Sequence, residues 1–573
     1  MKNYISDLKN LIYVFNVNKK DLIFILFLIL LSSIVELLSL GLVIPLVSQF
    51  FGNEYNFIFN NFFENYPKDL LIKIFGYSLI FIFFLKGLIS IFIKWYVDIF
   101  SLNKYSLLQK KLIKTYQNMP YENFIFKNNS EYIRNIRELG SDTVSNFQLS
   151  ARIIAETIVV ISIILFLSII NFQVIATLLF FLILILFIYL FYLKPMSSKL
   201  GKIRVDAIGS IHKYIDNGIR SMKEMKVLKK DKFFSDNLFN YANIIKNTQK
   251  KAILINDSPR YVIEFFLLLL GVILIISLYK KDQNLTLYLP LISVYLLAGI
   301  RLLPSFSIII TSLNRVAGLS HSTNLIYNDL KKFSEIETNE EFQIIAKNEK
   351  KEINSIEIKN LDFVYQNSKT QVFKSLNFKI KKNDCIGIVG TSGSGKTTFV
   401  DLLLGLLKPT NGKILINNEY SNDSFDLFGL VGYLPQEPLI LEESVRTNIS
   451  LEKDKSKIDY ELIINSIRRS NFENVLSQLP NGLETKIGEE GVRFSGGQNK
   501  RLALARTFYH GKNFLIIDEA TSSLDLAAED YIATEIKKLK GKATIIIISH
   551  SKNILKYCDK IYQVKNLTMK QIN

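Results

Sequence analysis

Residues 390–397 read Gly390-Thr391-Ser392-Gly393-Ser394-Gly395-Lys396-Thr397. An apolar run, Cys385 to Val389, precedes this stretch and reads as a buried strand; a helix-like run, Thr398 to Leu406, follows it. Strand, tight turn and helix are the context in which a glycine-rich loop binds phosphate. Gly390, Gly393 and Gly395 let the backbone turn sharply, so that its N–H groups face an anion. The helix N-terminus adds partial positive charge. Thr391, Ser392, Ser394 and Thr398 complete the expected phosphate contacts. Lys396 is placed to reach β- and γ-phosphates, and the Thr397 hydroxyl to hold Mg²⁺. The cofactors this predicts are ATP and Mg²⁺.

Further along, Phe514-Leu515-Ile516-Ile517 reads as a buried strand that ends in Asp518-Glu519. Asp518 stands where Mg²⁺ needs an acidic ligand, and Glu519 where a carboxylate orients or deprotonates the attacking water. A second apolar strand, Thr544 to Ile548, ends in Ser549-His550, which makes His550 a candidate γ-phosphate contact. Phe494-Ser495-Gly496-Gly497-Gln498 precedes a helix predicted from Lys500 to His510, a second place where a helix end meets an anion.

These motifs, in this order, resemble the nucleotide-binding domain of the ABC transporter family over residues 355–573. The resemblance implies that Tyr365 stacks on adenine. It implies that Gln436, in Leu434-Pro435-Gln436-Glu437, touches Mg²⁺ and the water. Ser495, Gly496, Gly497 and Gln498 resemble the family's signature sequence, which meets the γ-phosphate held by the other subunit. Asp525, in Ser522-Ser523-Leu524-Asp525, resembles the loop that crosses the dimer. A homodimer with two ATP sites is therefore expected. Three departures stand out: Phe494 where the family has Leu, Ser523 where Ala is common, and Glu490 where Arg is frequent.

The 573 residues are 49% hydrophobic, and the apolar excess lies upstream of these motifs. Six runs are long enough to span a bilayer, near 21–50, 70–97, 149–170, 173–194, 260–279 and 286–312. The expected fold is an α-helical membrane domain with six transmembrane helices, of exporter type, fused to an α/β P-loop nucleotide-binding domain. Its expected divisions are an amphipathic N-terminal helix (1–20), a transmembrane domain (21–330), a linker (331–354) and the nucleotide-binding domain (355–573). No signal peptide is read in the first apolar run, which is too long for one.

Net charge is +18, yet no basic cluster sits in a nucleic-acid motif. The lysines and arginines concentrate in two long loops, 98–148 and 194–258, which the positive-inside rule places in the cytoplasm with both termini. Short transverse helices are expected at the loop tips, near Pro120 to Lys127 and Gly218 to Leu228, to pass motion from the nucleotide domain. The two cysteines, Cys385 and Cys558, suggest neither a disulfide framework nor a metal site.

Charges inside spans are costly and mark function unless they are paired. Arg152 with Glu156, and Arg260 with Glu264, are spaced to satisfy each other. Lys86, Arg260 and Arg301 all fall near the inner-leaflet level and are expected, in a dimer, to ring a pyrophosphate, with Pro304 kinking the sixth span. Ser258-Pro259-Arg260-Tyr261 and Gly299-Ile300-Arg301-Leu302-Leu303-Pro304-Ser305 look similar to flippases of lipid-linked oligosaccharides in bacterial protein N-glycosylation, the Pgl type. That similarity implies an undecaprenyl-pyrophosphate glycan moved from the inner to the outer leaflet of a bacterial inner membrane. An aromatic stretch in the first external loop, 55–63, suits a membrane surface or a lipid tail. Export of lipid A, phospholipid, drug or peptide is the alternative, and an ATP-gated channel or regulator is the rival of another class.

Overall fold

The computed structural model describes residues 2–43, 45–47, 67–170, 183, 186–281, 289–337, 353–366, 368–417, 419–420, 427, 430–488, 492–511, 513–519 and 526–572. The chain divides into two units: Met1–Met119 with Ile125–Thr338, and Asn339–Asn573 with Pro120–Phe124.

The first unit is helical. Its main elements are α1 (Lys2–Phe15), α2 (Lys19–Gly41), α3 (Lys68–Asn118), α5 (Gly140–Ile170), α6 (Lys194–Arg220), α7 (Met222–Leu228), α8 (Lys232–Lys281) and α9 (Leu289–Glu337); the short α4 (Tyr121–Ile125), next after α3 in the chain, is counted with the second unit up to Phe124. Four helices among the described residues are long and apolar enough to cross a membrane: Lys19–Val47, Lys68–Asn118, Asn129–Ser168 and Ala298–Phe333. They overlap the predicted runs at 21–50, 70–97, 149–170 and 286–312, the last of these from Ala298 onward. The run at 260–279 lies on α8, whereas 173–194 falls mostly outside the described residues, as does the stretch 55–63. At 51 residues, α3 is about 77 Å long by helix rise. That is more than twice the ~30 Å hydrocarbon core, so the helix is both a span and a long extension. The middle of α3 exposes Phe81, Phe84, Leu88, Ile91 and Trp95, an apolar surface suited to lipid rather than water.

Three sequence expectations gain detail here. In the amphipathic N-terminal helix, Leu11 and Phe15 are buried against Leu108, Leu112, Ile326 and Leu330, while Ile5 and Ile12 are exposed. Pro304 lies inside the continuous helix α9, as Pro259 lies inside α8. The second transverse helix is Met222–Leu228 alone, because Gly218–Arg220 complete the last turn of α6.

The second unit is built on two sheets. Strands β2 (Gln371–Lys381), β1 (Ser355–Val364), β4 (Asn411–Ile416) and β5 (Glu419–Tyr420) form an antiparallel sheet in that order. The other sheet has the order β10 (Thr568–Gln571), β9 (Lys560–Lys565), β3 (Cys385–Val389), β8 (Thr544–Ile548), β7 (Phe514–Asp518), β6 (Gly432–Leu434). All its pairings are parallel except β10 with β9. Every residue of β7 and β8 is buried, which is why they read as unbroken apolar runs instead of alternating ones. One core lies around Phe363, Phe373, Phe378, Phe399, Ile388 and Ile546. A separate cluster of Val445, Ile449, Ile463, Ile467, Phe472 and Leu502 supports the helices α11 (Val445–Ser450), α12 (Tyr460–Arg469) and α13 (Gly496–His510).

Candidate active site

In an open parallel sheet, ligands bind beyond the carboxyl ends of the strands, where loops from neighbouring strands converge. Four such ends lie side by side here. The loop 390–395 follows β3, Ser549-His550 follows β8, Asp518-Glu519 ends β7, and Pro435-Gln436 follows β6.

The loop after β3 is shaped for an anion. Gly393 and Gly395 have φ of 75° and 104°, a region closed to most side chains. A Cβ on Gly395 would lie 2.9 Å from Val372 Cγ1 and 3.2 Å from the Phe373 ring. Gly395 caps α10 (Lys396–Leu403), whose first-turn amides have no intrahelical partner. Ser394 Oγ is buried and, among the described residues, has no hydrogen-bond partner. Lys396 is buried and donates from Nζ to the carbonyls of Gly390 (2.8 Å) and Thr391 (3.2 Å). Thr391, Ser392 and Thr397 are exposed at the loop and helix start, and Thr398 is buried. Free amides, an orphan hydroxyl and an anchored ammonium fit a nucleotide phosphate.

Glu519 is the hub of the site. Its Oε2 accepts a 2.7 Å hydrogen bond from Gln436 Nε2. Its Oε1 lies 3.7 Å from His550 Nε2 and 3.8 Å from Lys396 Nζ. The residue has φ 45°, and its N–H donates to the Ile548 carbonyl at 2.9 Å. A left-handed glutamate costs of order 1–3 kcal/mol and persists only where its surroundings hold it. Asp518 is buried beside it, and burial pushes its carboxyl up to about 6, with the Glu519 charge adding to the effect. A carboxylate made less acidic by burial is stabilised in its charged form by a nearby cation, which fits Mg²⁺. Among the described residues no group of three or more His, Cys, Asp or Glu forms a metal cage. A cation at Asp518 would therefore depend on phosphate oxygens as well.

Tyr365, expected at the adenine, is half-buried, and its hydroxyl pairs with the Thr398 hydroxyl at 2.9 Å. This joins the aromatic to the helix of the phosphate loop. The signature helix starts earlier than expected, at Gly496 rather than Lys500. Ser495 caps it in a reciprocal box with Gln498: Ser495 Oγ accepts from Gln498 N, and Gln498 Oε1 accepts from Ser495 N. The amides of Gly496 and Gly497 remain for an outside anion. The unusual Phe494 packs edge-on against Phe472 at 5.6 Å, which ties the signature to the helical cluster. Asp525, Ser523 and Glu490 lie outside the described residues.

Sequence reading missed two members of this site. Asp401, buried one turn into α10, is pushed up to about 6 by burial and by Asp518. Lys500 donates from Nζ to the Glu519 carbonyl at 3.3 Å. Neither belongs to a run of motif residues. Their only signal was a charge at a helical position facing the core. Tyr121, within the first expected transverse helix, packs on the second unit's core together with Tyr365.

Within one chain, two of the three cations expected to ring a pyrophosphate in the dimer are paired with the same acid. Lys86 Nζ lies 2.8 Å and Arg301 Nε 3.0 Å from one oxygen of Glu36. Arg260 stands apart from this pairing, exposed on α8 and bonded to Glu264 at 2.9 Å, the i,i+4 pair the sequence foresaw. The other foreseen pair does not form: Arg152 is exposed, and Glu156 engages Ser305 (2.7 Å) and Arg301 (3.6 Å). Two cations thus share a buried acid that the reading of single charges overlooked.

Comparison with known proteins agrees with this geometry. The family profile described as ABC transporter matches residues 373–522. A Rickettsia prowazekii protein named as an export ATP-binding/permease protein is 39% identical over 212 residues, 36% of each chain. YgaD of Bacillus subtilis, named as a multidrug export ATP-binding/permease protein, is 33% identical over 219 residues, 38% of this chain and 37% of its own. The matched stretch is thus little more than a third of these relatives' length. A solved structure titled as a bacterial Atm1-family ABC exporter with ATP bound superposes with a TM-score of 0.76, covering 97% of this chain and 95% of that one at 16% identity. The chain has the fold of an Atm1-type ABC exporter, and residues 373–522 carry an ABC transporter ATP-binding domain. Resemblance to Pgl-type flippases is not among these findings.

Proposed function

We propose that the chain is half of a homodimeric exporter that hydrolyses ATP to move an amphiphile across a bacterial inner membrane, with both termini in the cytoplasm. The observation that carries this reading is the convergence of Gln436, His550 and Lys396 on the Glu519 carboxylate beside a glycine-rich phosphate loop. Lys396, Thr397 and the loop amides would hold the ATP phosphates. Thr397, Asp518 and Gln436 would hold Mg²⁺, which supplies charge neutralisation at the phosphates. Glu519 takes the proton of the attacking water, and Gln436 and His550 keep its carboxylate aimed. Ser495, Gly496, Gly497, Gln498 and Asp525 serve the site of the partner subunit.

Flipping of a lipid-linked oligosaccharide is the finer reading of the cargo, and it would use Lys86, Arg260 and Arg301. Drug export fits as well, because the relative named for multidrug export shares the matched stretch. Reconstitution in vesicles with a fluorescent lipid-linked sugar and a cationic dye, side by side, separates these readings. Movement of either only with hydrolysable ATP supports the exporter. Movement with a non-hydrolysable analogue, down a gradient, would sink it in favour of a channel.

A further inference from the structure

Four ionisable side chains meet in the apolar unit. Glu36 on α2 is nearly sealed, with 4% of its side chain exposed, while Lys86 on α3 and Arg301 on α9 show 21% and 27%. Both cations approach the same oxygen of Glu36, Oε1. Arg301 Nη1 donates to Ser305 Oγ at 3.0 Å, and Ser305 in turn donates to Glu156 Oε2 at 2.7 Å. Glu156, on α5, is 16% exposed and lies 3.6 Å from Arg301 Nη2. Lys86 also sits over the Phe83 ring, 4.9 Å from its centre.

Two consequences follow from charge and exposure. Two cations face two carboxylates, so the quartet carries no net charge. The buried acid lies behind, and the groups that reach the surface are the two cations and Glu156. An incoming head with two negative charges would leave the assembly at minus two within an apolar span, where uncompensated charge is strongly disfavoured. A head carrying one phosphate and one ammonium would leave it neutral, with each charge facing an opposite one.

Resting on the exporter reading, we propose that this quartet is the head-group seat of the cargo and that it selects zwitterionic amphiphiles. Lys86 and Arg301 take the phosphate, Glu156 takes the ammonium, and Glu36 sets the charge of the seat from behind.

The test measures binding to the purified full chain in maltoside detergent, without nucleotide. The probes are dioctanoyl phosphatidylethanolamine, dioctanoyl phosphatidylmethanol and farnesyl diphosphate. The zwitterion should bind about tenfold more tightly than either of the others, the step that one well-matched charge contact makes. Glu156→Gln removes the partner of the ammonium, so the zwitterion should lose its advantage over phosphatidylmethanol. Glu36→Gln leaves the seat at plus one, so phosphatidylmethanol, whose single charge it then balances, should gain affinity and overtake the zwitterion. Tightest binding of farnesyl diphosphate to the unaltered chain, or an order that neither substitution moves, would make the quartet a structural clamp only. If Glu36→Gln does not fold, the ranking on the unaltered chain and on Glu156→Gln decides. ATP hydrolysis is assayed separately on the same preparation. A chain that ranks the probes as stated but never hydrolyses ATP rejects the exporter reading and keeps the seat. A hydrolysing chain with no zwitterion preference rejects the seat and keeps the exporter.

Discussion

Glu519 is held in a left-handed conformation by a backbone bond to Ile548, and its carboxylate is aimed by Gln436. Glu519→Gln keeps the shape and the Gln436 contact but removes the base. Turnover should fall at least a hundredfold, the lower range for a lost general base, while ATP binding persists. Normal turnover in a vesicle ATPase assay would remove Glu519 from the chemistry. Asp401 gives a pH effect of defined sign. Its folded carboxyl holds a proton up to about 6, against 3.8 when unfolded. Between those values the folded state binds more protons than the unfolded state. The stabilisation is complete below 3.8, shrinks as pH rises, and is gone above about 6. Asp401→Asn should flatten this dependence and raise stability at neutral pH by roughly 3 kcal/mol, at 1.36 kcal/mol per unit. Denaturant unfolding of the nucleotide-free chain at pH 4.5 and 7.5 reads it; an unchanged difference between the two would reject the assignment. The residues legible in the sequence were those whose chemistry needs consecutive positions, such as 390–397 and 518–519. Asp401, Lys500 and Glu36 stand alone in helices, and only folding shows what each one faces.

Elements were legible where one period rules. The all-buried strands β7 and β8 were readable from unbroken apolar runs, and the long spans from length alone. Helix ends and buried faces were not, because they depend on partners distant in sequence. The N-terminal helix packs Leu11 and Phe15 on residues more than ninety positions away, which no local pattern reveals. The signature helix began four residues early because the Ser495–Gln498 box makes Gly496 and Gly497 its first turn despite their low helix propensity. Ser495→Ala removes that cap. It should cost about 1 kcal/mol of stability, readable as a shift in the unfolding midpoint. Phe494→Leu restores the family's usual residue but loses the edge-on contact with Phe472. That contact is worth about 0.5–1.5 kcal/mol, so the substitution should also destabilise the chain. A more stable Phe494→Leu protein would show that Phe494 is not the anchor.

At the scale of the whole molecule, the exporter reading demands that no single chain complete an ATP site. One chain supplies the phosphate loop, and its partner supplies the serine-capped helix end. This gives a test that pairs two defective chains. Lys396→Ala should disable the loop, and Ser495→Arg should place a bulky cation at the signature; either homodimer has two crippled sites. When the two variants are co-expressed, a mixed dimer joins the intact loop of one chain to the intact signature of the other. Its second site carries both defects. Random pairing makes half of all dimers mixed, and each mixed dimer has one working site of two, so activity should return to about a quarter of the unaltered level. If each chain closed its own site, mixing would rescue nothing, because every loop would remain beside its own signature. Rescue measured on dimers purified with a different tag on each chain therefore tests the swapped geometry directly, and absence of rescue in such dimers would overturn it.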